Sequence, residues 1–142
     1  MEVTISAPLD EVWQAWTESN LITEWLSVDA HVEARPGAPF ELFWDPDDHD
    51  HMCTKGCVFT LVEPRKLGFT WRGPDQFAGL MNDPPLTSVL VAFRDEGDTR
   101  VVVEHDGWGD GLEWEQAREW HRRAWEEALE ELKSMMELGA RQ

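Results

Sequence analysis

Residues 113–138 read "EWEQAREWHRRAWEEALEELKSMMEL", a stretch with neither Gly nor Pro. At about 100° per residue, Trp114, Ala117, Ala124, Trp125, Ala128, Leu132, Met135 and Met136 fall on one stripe, and His121 lies inside it. Glu126, Glu127, Glu130 and Glu131 mark the opposite side. The stretch predicts one long helix that is solvated on its acidic side and must bury the other. The rest of the chain has to supply the surface it covers.

That surface is a sheet. From Val28 to Trp108 the apolar positions recur with period two. "VDAHVEA" (28–34) alternates, and "FELFW" (40–44) places Phe40, Leu42 and Trp44 on one face. "CVFTLV" (57–62) is a further strand, apolar in both alternations. "LGFTW" (67–71) aligns Leu67, Phe69 and Trp71. "TSVLVAF" (87–93) aligns Val89, Val91 and Phe93, and "TRVVVEH" (99–105) aligns Val101, Val103 and His105. The turns "RPGAP" (35–39), "EPRK" (63–66) and "DEGD" (95–98) are tight, so the neighbours pair as antiparallel hairpins.

Ahead of these strands, "EVTIS" (2–6) alternates as a first strand. Two short helices follow. In "APLDEVWQAWT" (7–17), Pro8, Asp10 and Glu11 suit a helix start, and Val12, Ala15 and Trp16 share a face. "SNLITEWL" (19–26) carries Leu21, Ile22, Trp25 and Leu26 at helical spacing, with Ser19 or Asn20 as the expected cap. The tail "GARQ" (139–142) reads as frayed. The chain is thus an α+β single domain, 1–142, with a curved antiparallel sheet of about seven strands wrapped around a long C-terminal helix.

Composition narrows the partners. With 29 acidic and 12 basic residues the formal charge is −17, which disfavours nucleic acid and anionic membrane surfaces. No apolar run approaches the roughly 20 residues of a membrane span, and the opening "MEVTISAPLD" lacks a signal peptide's basic and apolar segments. Two cysteines make no disulfide framework. The expectation is a cytoplasmic protein with reduced thiols. Nine tryptophans without a tyrosine fit either a thick core or an aromatic-lined cavity.

The stretches "APLDEVWQAWT", "ITEWL", "RPGAPFEL", "GCVFTLVEPRKLGFTW", "TRVVVEHDGW" and Trp125-x-x-x-Leu129-x-x-Leu132, in this order, cover nearly the whole chain. They resemble the SRPBCC superfamily, the helix-grip fold of START domains and the birch pollen allergen, and within it the activator-of-heat-shock-ATPase-like branch. The resemblance implies a cavity between sheet and helix that takes apolar ligands, or a chaperone-associated, stress-related role. Two departures stand out. The family's glycine pair after "RP" is here Gly37-Ala38, and the loops 45–56 and 73–86 exceed what a hairpin needs.

Alternation of strand direction puts the tight turns at one end of the sheet and the connections 45–56, 73–86 and 108–113 at the other, where the long helix begins. The resembled superfamily opens its cavity there. The inward positions Trp44, Phe69, Trp71, Val89, Val91, Val103, His105, His121 and Trp125 are the candidate ligand-binding residues, and Phe77 and Met81 in "GPDQFAGLMNDPPL" (73–86) are candidate gate residues. Arg72 is expected to be exposed, opposite Trp71.

"DPDDHDHMCTKGC" (45–57) gathers His49, His51, Cys53 and Cys57. These are zinc-ligand types, but the spacing is not a C-x-x-C pair and no matching half-site appears elsewhere. A solvated acidic loop is the reading favoured over a metal site. No cofactor is expected. No G-x-S-x-G elbow, phosphate-binding Gly loop or H-E-x-x-H is present. His105 and His121 are the candidate general bases of an enzyme reading, which is set below a non-catalytic one.

Three functions are carried forward: binding of a small apolar, aromatic or lipid-like ligand; a chaperone-associated interaction domain without a cavity; and a cyclase- or hydrolase-like enzyme.

Overall fold

The computed structural model describes residues 1–139; the last three residues of the expected frayed tail lie outside the described residues. The order is β1 (Glu2–Ile5), α1 (Leu9–Thr17), α2 (Ser19–Ile22), β2 (Asp29–Val32), β3 (Phe40–Phe43), β4 (Phe59–Glu63), β5 (Lys66–Trp71), a 3₁₀ turn (Asp75–Phe77), α3 (Ala78–Met81), β6 (Thr87–Glu96), β7 (Asp98–Asp106) and α4 (Leu112–Gly139). This is the expected α+β helix-grip arrangement. Five strands pair antiparallel in the order β1-β7-β6-β5-β4, and β2 pairs with β3. The two parts are stitched by Pro39 facing Val58 and by hydrogen bonds from Phe40 N–H to the Cys57 carbonyl (2.8 Å) and from Phe59 N–H to the Ala38 carbonyl (2.9 Å). The seven strands thus form one curved antiparallel surface.

Two local expectations change. The second helix ends after one turn, at Ile22, and continues as turns to Leu26. Ser19 is not its cap: Glu18 holds that position, and the Ser19 hydroxyl accepts from Val32 N (3.0 Å), tying the helix to β2. The 57–62 strand begins at Phe59; Val58, outside it, forms an isolated bridge to Pro39 and bonds Thr70 through both its amide and its carbonyl.

The core lies between the sheet and the helices. Val12, Ala15 and Trp16 of α1, and Ala117, Trp125, Leu129 and Leu132 of α4, are buried as their periodicity requires. They meet Leu67, Phe69, Val89, Val91, Phe93, Val101 and Val103 from the strands. Trp16 stacks on Trp125 at 6.1 Å and packs edge-on to Trp25 at 4.8 Å. α4 packs along β1, where Lys133 Nζ donates to the Thr4 carbonyl (2.8 Å). Among the described residues no helix is long and apolar enough to cross a membrane.

Candidate functional site

The first half of α4 does not sit flush on the sheet. Between it and β5 lies a cavity of about 300 Å³, lined by Trp71 below and by Trp120, His121, Ala124, Trp125 and Ala128 from the helix. Trp44 and Leu26 line it further, as do Met52 and Cys53 from the 45–56 loop and Arg72, Gly73 and Pro74 from the start of the 73–86 segment. Alanines at 124 and 128, one helical turn apart, leave the space that larger side chains would fill.

The walls are aromatic and fixed. Trp71 lies 5.1 Å from Trp125 and 6.0 Å from Trp44, between ring centroids. Trp44 Nε1 donates to the Leu26 carbonyl (2.9 Å). Trp125 Nε1 donates to His105 Nδ1 (3.2 Å), and His105 Nε2 lies 2.9 Å from Thr87 Oγ1. An imidazole nitrogen that accepts from an indole carries no proton, so His105 is the Nε2–H tautomer and donates to Thr87. Burial, with a smaller contribution from His121, pushes its pKa down to about 2. His105 is therefore a neutral strut with both nitrogens engaged.

His121 is held differently. Its Nδ1–H donates to the Ala117 carbonyl (2.7 Å), so Nε2 bears a bare lone pair. Burial lowers its pKa, partly offset by the Ala117 carbonyl. His121 Nε2 and Trp71 Nε1 are both buried without a hydrogen-bond partner among the described residues. Their rings stand 6.5 Å apart at 86°. His121 also borders a second, open and polar cleft, shared with Val103, His105 and Arg118.

Of the sequence-derived ligand-binding residues, Trp44, Trp71, His121 and Trp125 line the cavity together. Phe69, Val89, Val91 and Val103 stand in the core, and His105 supports Trp125 from behind. Phe77 packs edge-on to Trp120 at 6.1 Å, and Met81 is buried against Gly73, whose Cα approaches so closely that an added Cβ would lie 2.6 Å from the Met81 sulfur. The two long loops meet, as the direction argument expects: Met52 N donates to Asp75 Oδ1 (3.3 Å). Arg72 departs from its expected exposure. It is half-buried on the cavity rim and donates to the Lys55 carbonyl (3.0 Å). Ala124, Ala128 and Trp120 were not singled out as ligand-binding from sequence, since two alanines in a helical stripe read as close packing. The clue is their one-turn spacing beside Trp125.

The 45–57 cluster is dispersed. His49 stacks on Phe43 at 4.1 Å and pairs with Asp29, while His51 pairs with Asp48 (2.8 Å), which raises the His51 pKa. Cys53 bonds the His49 carbonyl (3.3 Å), and burial pushes the Cys57 thiol up to about 11. Both cysteines are free, and no group of three or more His, Cys, Asp or Glu among the described residues is arranged to hold a metal ion.

A structure of a protein from Mesorhizobium loti is 22% identical with a TM-score of 0.73, covering 96% of this chain and 94% of that one. The Aha1 dimer from Colwellia psychrerythraea is 18% identical with a TM-score of 0.68, covering 98% and 95%. CalU16 from Micromonospora echinospora is 23% identical with a TM-score of 0.63, covering 94% and 70%. These likenesses show the fold. No curated protein matches the chain by sequence. The family model described as "Activator of Hsp90 ATPase homolog 1-like protein" matches residues 6–137, and the chain belongs to that family.

Proposed function

We propose that this protein is a cytoplasmic binding module that encloses one small apolar ligand, aromatic or lipid-like, in the cavity between β5 and α4. The observation that carries this reading is the cavity itself: about 300 Å³, walled by Trp44, Trp71, Trp120 and Trp125. That volume is at the lower bound of ligand pockets, on the order of 300–1,000 Å³, and suits a one- or two-ring compound. Burial of its surface, at roughly 25 cal/mol per Å², and stacking on indole faces supply the affinity. Phe77, packed on Trp120, and Met81, buried under Gly73, brace the Gly73–Pro74 rim of the entrance; neither lines the cavity itself.

Plugging the space tests the reading. Ala124→Leu and Ala128→Leu should fold and melt normally yet lose binding of a naphthalene-sized compound by tenfold or more in equilibrium dialysis (about 1.4 kcal/mol). Unchanged binding in both plugged variants would remove the cavity from the function. Native mass spectrometry of freshly purified protein should show a bound small molecule.

Family membership favours a second reading, docking to a chaperone. Its surface would be the rim of α4, where Trp120 is 40% and Leu112 69% exposed. Leu112→Ser would then abolish partner capture while sparing small-molecule binding, since Leu112 does not line the cavity. An enzyme reading would rest on His121 alone, because His105 has no free nitrogen.

A further inference from the structure

We infer that the cavity selects a neutral, hydroxyl-bearing ligand, with Trp71 Nε1–H donating to the ligand oxygen and His121 Nε2 accepting its proton. This deepens the reading above and rests on it. Two atoms of the cavity-lining side chains break a general rule, since buried polar groups are nearly always hydrogen-bonded. Trp71 is 6% exposed and His121 2%, and both line the same cavity. The atoms are complementary: an indole N–H only donates, and the imidazole nitrogen left bare by the Ala117 bond only accepts. The ring centroids stand 6.5 Å apart and each nitrogen is shut off from solvent, so the rings must turn for a ligand to reach the pair; a small group that accepts and donates at once then serves both. A hydroxyl does this with a single oxygen. A carboxylate or phenolate offers nothing to His121 Nε2, and the net charge of −17 repels it. An ether satisfies only Trp71, and a hydrocarbon satisfies neither. Trp16 Nε1 is a third unpartnered buried atom, but Trp16 does not line the cavity and plays no part.

The scale of discrimination follows from the cost of leaving buried polar groups unpaired. A site built to bond a ligand O–H rejects the analogue lacking it more strongly than an apolar wall distinguishes shapes.

Equilibrium dialysis of the wild-type protein at pH 7 with 2-naphthol, 2-methoxynaphthalene and 2-methylnaphthalene is the test. 2-Naphthol should bind about tenfold tighter than either analogue. Raising the pH past the naphthol's own pKa should weaken it alone. His121→Phe should retain the methyl compound and lose the preference, and Trp71→Phe should shrink it; each keeps an aromatic ring, and the two variants stand in for one another should either misfold. Equal binding of all three compounds by the wild type, or a preference that survives both variants, would overturn the inference and leave the apolar carrier standing. Binding of none of them would overturn both.

Discussion

At the scale of single residues, two histidines share one aromatic cluster, 5.2 Å apart, and do different work. His105 is closed off by two hydrogen bonds and His121 by one. Both are held neutral by burial, which lowers their pKa values from 6.5. The consequence for stability has a definite sign. Below pH 6.5 the unfolded chain takes up more protons on these side chains than the folded chain does. Folding therefore weakens as the pH falls from about 7 to 5, by up to about 1.4 kcal/mol per pH unit for each histidine, and is insensitive to both above pH 7. His51 has a raised pKa and the opposite sign, but it is exposed on an acidic loop and water screens its pairing. Urea denaturation at pH 7.5, 6 and 5 should show the decline, and His121→Phe should make it shallower. A flat profile would mean that the histidines are not held neutral.

At the scale of elements, α4 divides into two working halves. Its second half is clamped: Leu129 and Leu132 are buried, and Lys133 reaches the β1 backbone. The part before it, up to Ala128, is held off the sheet by aromatic rings and carries the small residues that make the cavity. Leu132→Ala should therefore cost about 2–5 kcal/mol of stability, read from the urea midpoint, with little change in ligand affinity. Ala124→Leu should do the reverse. A loss of affinity in Leu132→Ala at temperatures where it remains folded would show that the halves are coupled. This division also marks what could be read from the sequence. Unbroken periodicity over 113–138 identified the helix, and alternation identified the strands, because burial on one face imposes both patterns. The shortened α2 was not legible, since the Ser19 hydroxyl serves β2, a partner distant in sequence. Nor was the cavity wall fully legible. Trp44, Trp71, His121 and Trp125 could be found from their faces, but the Val89 and Val91 positions share the same strand parity and pack in the core. Periodicity gives a side chain's direction, not the gap in front of it.

At the scale of the whole molecule, charge and interior oppose one another. A net charge of −17 surrounds a tryptophan-rich centre, and several acidic side chains already have cationic partners: Arg122 bridges Glu119 and Glu126, and Arg100 bridges Glu2 and Glu96. With 29 acids against 12 bases, the carboxylates far outnumber the cations that could pair with them. The repulsion among carboxylates is released on unfolding, because the expanded chain holds its charges farther apart. Salt that shortens the screening length from about 30 Å at 0.01 M to about 8 Å at 0.15 M should therefore stabilise the fold, although it weakens the surface pairs just named. Those pairs contribute less, since exposed ion pairs are typically worth under about 1 kcal/mol each. The melting temperature at pH 7 should rise by several degrees between these salt concentrations, with chloride and sulfate agreeing in direction. A fall would mean that the surface pairs outweigh the general repulsion. Binding of a neutral naphthol should hardly respond to the same change, because its driving force lies in the apolar interior, whereas an anionic naphthoate should gain from screening. Scanning calorimetry and dialysis across one salt series separate the two contributions: the charged exterior sets how tightly the chain folds, and the aromatic interior sets what it holds.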